Sequence, residues 1–294
     1  MNNHFKASSQ AGPTSSVIAL HCSLSSGRQW DRLAQELGSR HRVIAPDISG
    51  YGDNAGSFAL PTTLAEEIDA LSPRIGENNG PLHIVGHSYG GALAFKIATD
   101  PRYASRVRSL TLIEPVLPTI LMENGSDRPL YEHFARLAYA IYEDLWNGSS
   151  MEAIEKFLRF WRGSGPEETL SSNAFVRLVE HAEKLAFDFA SILAEQNVTS
   201  AAAAIRAPTL LISGGRSPHL TQRVMARLAS AIPRADTKYL PAAGHMLASS
   251  HASFINPDIA RHIARADEFA NRSLVLGMFS GETPRPNWAG PASL

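Results

Sequence analysis

A serine with a glycine two residues away on each side, Gly86-x-Ser88-x-Gly90, is the part of this sequence best suited to chemistry. It directly follows the apolar run Leu82–Val85 and precedes the small-residue run Ala92–Ala98, so we predict a turn from a strand into a helix. Such a turn strains the serine backbone and exposes the hydroxyl, and the glycines provide the space. We predict that Ser88 is a nucleophile. The alternative is a glycine-rich turn that only packs a helix on a sheet.

Short apolar runs alternate with helical patterns on both sides of this turn. The predicted strands are Val17–His21, Arg42–Ala45, Leu82–Val85, Val107–Ile113, Pro208–Ser213 and Thr237–Leu240. The predicted helices outside the turn are Gln29–Leu37, Leu64–Leu71, Thr221–Ala231 and Phe254–Ala270. This alternation is typical of an α/β fold with a mostly parallel sheet and helices on both faces.

The alternation stops between residues 116 and 206, where only helical patterns occur. These are Tyr131–Trp146, Met151–Trp161 and a broken stretch over Pro166–Gln196. We predict one core domain, 1–115 with 207–294, and a helical cap over 116–206. The aromatic residues of the cap are expected to line a cavity above Ser88 or to fix the cap to the sheet, which favours a small apolar or aromatic substrate. Four cap arginines could bind a substrate carboxylate, although exposed helix faces commonly carry arginine: Arg136, Arg159, Arg162 and Arg177.

Composition excludes several other classes of protein. A formal net charge of -1 over 294 residues gives no field that would attract nucleic acid. No run approaches the roughly 20 apolar residues of a membrane span. The one cysteine, Cys22, forms no internal disulfide, so we expect a cytoplasmic protein.

The two ends of the chain lie outside the predicted core elements. Met1–Ser16 is predicted to be a flexible arm. The apolar residues of the tail Asn271–Leu294 are expected to pack either on their own domain or on a second copy of the chain, which would make the protein a homo-oligomer.

Three further segments, in order along the chain, resemble landmarks of the α/β-hydrolase family. Leu20-His21-Cys22-Ser23 is similar to the family's oxyanion loop, Pro46-Asp47-Ile48-Ser49-Gly50-Tyr51-Gly52 to its P-D-x-x-G-x-G turn, and Gly244-His245-Met246 to its catalytic histidine loop. The resemblance covers about residues 17 to 270 and implies an α/β-hydrolase fold with a helical cap. The chain departs from the family pattern in having few residues before the first strand and a cysteine in place of the usual glycine after His21.

The resemblance also implies the partners of the nucleophile. A serine hydrolase needs an imidazole to accept the hydroxyl proton and a carboxylate to orient that imidazole. His245 follows the last strand and is the predicted base. The family usually places the acid after the strand here predicted over Pro208–Ser213, but this chain has Ser217 there. Glu114 lies at the end of an earlier strand, where haloalkane dehalogenases and some other members carry the acid, so we predict that Glu114 orients His245. The alternative is a solvated carboxylate at a strand end.

The resemblance assigns the oxyanion hole to backbone amides of Ser23 and Tyr89. The Ser23 hydroxyl could add a further donor. His21 and His87 are expected to make structural hydrogen bonds, and Cys22 to fill space at a strand end.

The combined prediction is a serine hydrolase that cleaves an ester, thioester or lactone through an acyl-enzyme on Ser88, most similar to carboxylesterases. Three alternatives stay open: hydrolysis of a carbon–carbon bond, cofactor-free lyase or oxygenase chemistry with His245 as base, and a ligand receptor with slow turnover. A hydroxyl at the turn disfavours dehalogenase and epoxide hydrolase chemistry, which needs a carboxylate there. No metal or dinucleotide motif is evident, so no cofactor or metal is expected, and the expected partner is a small-molecule substrate.

Overall fold

Six parallel strands form the centre of the molecule. The computed structural model describes residues 15–56, 60–77, 79–123, 125–163 and 170–280, with side chains up to residue 272. The strands are β1 (Ser16–Leu20), β2 (Arg42–Ile44), β3 (Leu82–His87), β4 (Val107–Ile113), β5 (Thr209–Gly214) and β6 (Ala235–Leu240). Their order across the sheet is β2-β1-β3-β4-β5-β6. From β1 the strand order first proceeds to β2 on one side of the sheet and then to β3 on the other, so the order switches direction between β1 and β3. Ligands of such sheets bind outside the carboxyl ends of the strands at this switch point.

Helices cover both faces of the sheet, and a group of them forms the cap. The helices that flank the sheet are α1 (Asp31–Leu37), α2 (Leu64–Gly76), α3 (Tyr89–Thr99), α9 (His219–Ala231), α10 (Leu247–Ser250) and α11 (Ala252–Ser280). The helices between β4 and β5 are α4 (Arg128–Trp146), α5 (Ser150–Arg162), α6 (Ser172–Glu180), α7 (Glu183–Ala194) and α8 (Val198–Ala204). Among the described residues this insertion contains no strand, as the sequence predicts.

Alternating residues of the central strands enter two separate apolar clusters. Ile18 and Leu20 of β1 face the cluster that contains α2, α3 and the cap, whereas Val17 and Ala19 face the cluster that contains α1 and α11. All four side chains are fully buried. Because successive side chains of a strand point to opposite faces, a strand buried on both sides is apolar at every position. This explains why the core strands appear in the sequence as continuous apolar runs.

The predicted α/β fold with a helical cap is confirmed, and the element boundaries differ in places. Helix α11 continues to Ser280, so residues 271–280 are helical where the sequence predicts a glycine- and proline-rich tail. Ser15 and Ser16 are buried, and Ser16 begins β1 rather than ending a flexible arm. The remaining arm residues 1–14, the tail residues 281–294 and residues 164–169 of the cap lie outside the described residues. Among the described helices, none is long and apolar enough to cross a lipid bilayer.

Candidate active site

Ser88 lies at the sharp turn between β3 and α3, in a backbone conformation that is unusual for serine. Its φ is 56° and its ψ is -119°, a region in which non-glycine residues are strained. The flanking glycines are sterically required: a Cβ on Gly86 would lie 2.2 Å from the carbonyl oxygen of Gly90, and one on Gly90 would lie 2.3 Å from that of Leu20. The turn therefore has the geometry expected of a nucleophile elbow.

The structure brings Ser88, His245 and Glu114 together in one chain of hydrogen bonds. Ser88 Oγ lies 2.9 Å from Nε2 of His245, and Nδ1 of His245 lies 2.7 Å from Oε2 of Glu114. A carboxylate can only accept, so Nδ1 carries the hydrogen, and Nε2 is left to accept the serine proton. His245 follows β6 and Glu114 follows β4, so these two residues and the elbow after β3 meet at the carboxyl edge of the sheet. This is the arrangement that activates a serine hydroxyl.

Glu114 is fully buried, and its second oxygen is also satisfied. Oε1 accepts hydrogen bonds from the Ser217 hydroxyl and the Gly214 backbone N–H, both at 2.7 Å. A buried carboxylate is costly unless donors surround it, and three donors surround this one. Ser217, which stands where the family usually has its acid, thus supports the acid at the alternative position. Nothing in the sequence pattern predicts this hydrogen bond.

His87 links the two loops that border the site. Gln29 accepts a hydrogen bond at Oε1 from the Cys22 N–H at 3.1 Å, which leaves its amide NH₂ for Nδ1 of His87, also at 3.1 Å. Nε2 of His87 then donates to the backbone carbonyl of His245 at 2.8 Å. Burial, with a smaller contribution from the neighbouring His245, lowers the pKa of His87 to about 3, so the ring is neutral and keeps these roles. The relay fixes the position of the His245 backbone relative to the oxyanion loop.

The cap contributes an aromatic ring to the site. The Trp161 indole of α5 stacks on the His245 imidazole with ring centroids 4.1 Å apart and planes inclined by 19°. Trp161 is only 8% exposed, so the pair is screened from water. A tryptophan face attracts a cation, and the stack can therefore stabilise an imidazolium when one forms.

The predicted oxyanion donors Ser23 and Tyr89 border the same small cavity as Ser88. Tyr89 is the first residue of α3, where backbone N–H groups have no acceptor within the helix. The Ser23 hydroxyl donates to Oδ2 of Asp188 on α7 at 2.5 Å, so it is engaged with the cap rather than aimed at a substrate oxygen. Its backbone N–H remains the group that could fill the predicted role.

Asp188 belongs to a buried charged cluster between the cap and the core. The Lys184 ammonium lies 2.9 Å from Oδ1 of Asp188 and 3.0 Å from Oε2 of Glu67 on α2, and the Tyr51 hydroxyl donates to Oδ2 of Asp188 at 2.6 Å. Burial lowers the pKa of Lys184, but the carboxylates of Asp188 and Glu67 outweigh burial and hold that pKa above its usual value. The lysine is therefore charged, and the cluster ties α7 firmly to the core.

Two cavities meet at Ser88. The outer cavity has a volume of about 590 Å³ and is bordered by Ser88, His245 and Cys22. Its remaining wall includes aromatic and charged cap and loop residues: Phe157, Trp161, Glu155, Arg159, Arg162 and Arg216. The inner cavity has a volume of only about 10 Å³. Its core side consists of Ser23, Ser88, Tyr89 and Val116, and its cap side of Phe157, Trp161, Leu185, Asp188, Phe189 and Ile192.

The cavity walls refine the sequence predictions for the cap. Of the four predicted cap arginines, Arg159 and Arg162 line the outer cavity, and Arg216, which follows β5 and was not among the candidates, also lines it. Several predicted cap aromatics are instead exposed on the outer surface: Tyr139, Tyr142 and Trp146.

The other reactive side chains near the site have structural roles. Burial raises the pKa of the Cys22 thiol to about 12, so it stays protonated and is a poor nucleophile at neutral pH. His21 accepts a hydrogen bond at Nε2 from the Ile48 N–H and donates from Nδ1 to the carbonyl of Cys22, as expected of a structural histidine.

A group with metal-ligand chemistry lies at the other end of the sheet. His41, His83 and Asp267 place one ligand atom each within 4.8 Å of one another. However, the Arg108 guanidinium lies 2.8 Å from Oδ1 of Asp267 and already balances its charge. Burial raises the pKa of Asp267, but hydrogen bonds from His83, Arg108 and His41 outweigh burial and keep it well below its usual range. The group is better described as an ion-pair cluster that attaches α11 to the sheet.

Comparison with known proteins agrees with this architecture. Residues 17–257 match the model of the alpha/beta hydrolase family. The chain belongs to this family.

Individual relatives of this α/β hydrolase include esterases and lipases. A pimeloyl-[acyl-carrier protein] methyl ester esterase from Aeromonas hydrophila is 27% identical over 258 residues, which cover 82% of this chain and 89% of that protein. The lipase LipV of Mycobacterium tuberculosis is 32% identical over 115 residues, 39% of this chain and 42% of that protein, so the match spans less than half of the lipase. Among solved structures, MenH from S. aureus superposes with a TM-score of 0.69 at 16% identity, covering 88% of this chain and 96% of that chain, and shows the shared fold.

Proposed function

We propose that this α/β hydrolase is a serine esterase that cleaves small, largely apolar or aromatic carbonyl substrates (esters, thioesters or lactones) through an acyl-enzyme on Ser88. The observation that carries the proposal is the continuous hydrogen-bonded chain from Ser88 Oγ through His245 to Glu114, with distances of 2.9 and 2.7 Å. The esterase and lipase names of relatives support the same reaction class.

In the first half of the proposed reaction, Ser88 Oγ attacks the carbonyl carbon while its proton passes to Nε2 of His245. The carbonyl oxygen becomes an oxyanion and accepts hydrogen bonds from the backbone N–H groups of Tyr89 and Ser23. Glu114 holds the imidazole in the required tautomer and offsets its positive charge, and the Trp161 face adds to this. His245 then protonates the leaving oxygen or sulfur, and its bond to the carbonyl carbon breaks.

In the second half, water attacks the acyl group on Ser88 and gives a proton to His245. When the second tetrahedral intermediate collapses, the bond between Oγ and the acyl carbon breaks and His245 returns the proton to Ser88. The products are a carboxylic acid and the alcohol or thiol released earlier. No step needs an oxidant, reductant or cofactor.

A fluorophosphonate probe tests the nucleophile directly, because it forms a stable covalent bond only with an activated serine. We expect labelling with one probe per chain, located at Ser88 by peptide mass spectrometry, and turnover of p-nitrophenyl acetate. Ser88→Ala should abolish both, whereas the control Cys22→Ser should keep both.

Two other results would replace this proposal. Activity on another substrate that survives Ser88→Ala but not His245→Ala would indicate lyase or oxygenase chemistry with the histidine as base. Complete labelling of Ser88 without measurable ester turnover would favour a ligand receptor.

A further inference from the structure

The two cavities at Ser88 differ so much in size that they cannot accept the same part of a substrate. The outer cavity, at about 590 Å³, falls within the range of small-molecule sites. The inner cavity, at about 10 Å³, has room for about one water molecule or a group of similar size, such as a methyl.

The position of His245 determines which part of the substrate enters each cavity. The tetrahedral carbon on Ser88 carries the oxyanion, the leaving group and the acyl substituent. The leaving group must lie beside His245, which protonates it, and His245 lines the outer cavity. The inner cavity is bordered by Ser88, Ser23 and Tyr89, and His245 is not among its described lining residues. Ser23 and Ser88 border both cavities, so we place the oxyanion at the junction of the cavities, which leaves the inner cavity to the acyl substituent.

The inner cavity is also held at this size. Most of its cap side comes from α7, which Lys184 joins to Glu67 of the core through a buried 3.0 Å ion pair. Asp188 of the same helix accepts hydrogen bonds from Ser23 and Tyr51. Widening the cavity by moving α7 would break these buried contacts. The α7 wall is therefore harder to displace than a wall that is held by apolar contacts alone.

We propose that the substrate is an acetyl-sized ester or thioester of a larger alcohol or thiol: the methyl of the acyl group occupies the inner cavity and the leaving group occupies the outer one. This inference rests on the proposed function and specifies its substrate class. Longer acyl chains must displace Phe189 or Ile192, and forcing extra methylenes into a packed site is unfavourable.

The test compares p-nitrophenyl acetate, butyrate and hexanoate, which share one leaving group, and adds 1-naphthyl acetate as a larger leaving group. For the wild-type protein we expect kcat/KM to fall by about tenfold or more from acetate to butyrate, and further for hexanoate. The value for 1-naphthyl acetate should stay within about tenfold of that for p-nitrophenyl acetate, because only the outer cavity is changed.

Enlarging the inner cavity should shift this preference. Ile192→Ala removes side-chain volume from its cap side and should raise the butyrate-to-acetate ratio of kcat/KM by about tenfold. Val116→Ala on the core side should act in the same direction and serves if the first variant does not fold. Ile141→Ala is the matched control: it is a fully buried cap isoleucine outside both cavity linings, so the ratio should not change.

Several outcomes overturn the inference. Butyrate or hexanoate turnover equal to or faster than acetate turnover in the wild type would do so. So would an acetate preference that neither cavity variant changes, since the limit on size would then lie elsewhere. In either case, labelling of Ser88 by fluorophosphonate would leave the esterase proposal intact. If the wild type showed neither labelling nor ester turnover, both the esterase proposal and the inference on acyl size would fail.

Discussion

The Ser217 hydroxyl lies 2.7 Å from Oε1 of Glu114, the carboxylate oxygen that His245 does not contact. The residue at the family's usual acid position therefore donates a hydrogen bond to the same carboxylate that His245 contacts. A second donor to the same oxygen, the Gly214 N–H, comes from the backbone and persists in any variant of Ser217.

We expect Glu114→Gln and Ser217→Ala to differ strongly in effect. Glu114→Gln removes the charge that stabilises the imidazolium and can reverse the tautomer of His245, so kcat for p-nitrophenyl acetate should fall by about 10³ to 10⁴. Ser217→Ala removes one of three donors to Glu114 and should lower kcat by less than about tenfold. Steady-state kinetics of the two variants decide the assignment.

A double variant provides the control for this pair. Glu114→Gln combined with Ser217→Asp returns a carboxylate to the neighbourhood of His245 and should recover part of the activity that the single change loses. If Glu114→Gln keeps nearly wild-type turnover while Ser217→Ala abolishes it, Glu114 is not the orienting acid.

The Trp161 ring on His245 is expected to affect kcat. Replacing it with leucine removes the aromatic face that stabilises the imidazolium, so kcat should fall by about 2- to 30-fold, which corresponds to about 0.5–2 kcal/mol. Trp161→Phe keeps an aromatic face and should lose less. Phe175→Leu, a cap change outside both described cavity linings, should leave kcat unchanged. Equal kcat values for the leucine variant and the wild type would contradict this role.

The sequence predicted those parts of the molecule whose causes are local. The elbow at Ser88 was predicted from two glycines at fixed spacing between a strand and a helix. In the structure, a Cβ at Gly86 or at Gly90 would clash with backbone atoms, which explains why glycine occupies both positions. Apolar runs predicted the central strands β1, β3, β4 and β5, because parallel strands buried on both faces are apolar on both faces. The edge strands β2 and β6 were also predicted, although they are partly exposed. Helix α11 ends at Ser280 rather than at the predicted Ala270, because the tail prolines, which would terminate a helix, lie beyond Ser280 in the sequence.

The parts that the sequence did not predict depend on contacts between distant segments. Glu67 and Lys184 are separated by 117 positions, and neither carries a pattern that would pair them. Trp161 belongs to a helix whose aromatic residues look equivalent in the sequence, and only the fold selects the one that stacks on His245. Likewise, the hydrogen bond from Ser217 to Glu114 requires the ends of β4 and β5 to be neighbours in space.

Removing only the cation from the buried cluster of Lys184, Glu67 and Asp188 should strongly destabilise the folded protein. Lys184→Met leaves two buried carboxylates without their cation and should lower the free energy of unfolding by about 3–5 kcal/mol, as measured by urea denaturation. Changing Glu67 to Gln and Asp188 to Asn in the same chain removes the unpaired charges and should restore most of that loss.

A solvated ion pair gives the comparison for this experiment. Lys156 pairs with Asp144 at the cap surface, and its side chain is 39% exposed. Lys156→Met should therefore cost less than about 1 kcal/mol. Similar losses for Lys156→Met and Lys184→Met would mean that the buried cluster has no special stabilising role.

The neutral His87 should make the folded protein less stable in mild acid. Because burial lowers its folded-state pKa to about 3, while an unfolded histidine has a pKa near 6.5, the unfolded chain binds one more proton between these values. Stability from this group is therefore complete above about pH 6.5 and is lost as pH falls toward 3. When the pH is lowered from 8 to 5.5, the free energy of unfolding should fall in both proteins. The fall should be about 1.4 kcal/mol smaller for His87→Gln than for the wild type.

Urea denaturation of both proteins at the two pH values measures this difference. Burial also lowers the pKa values of His21, His83 and His262, so both proteins should be destabilised in acid, and only the difference between them reports on His87. An identical loss in the two proteins would mean that His87 is protonated in the folded state as readily as in the unfolded chain. Nε2 could still donate to the His245 carbonyl in that case, but Nδ1 would carry a hydrogen and could not accept from Gln29, so the relay between the two loops would be broken.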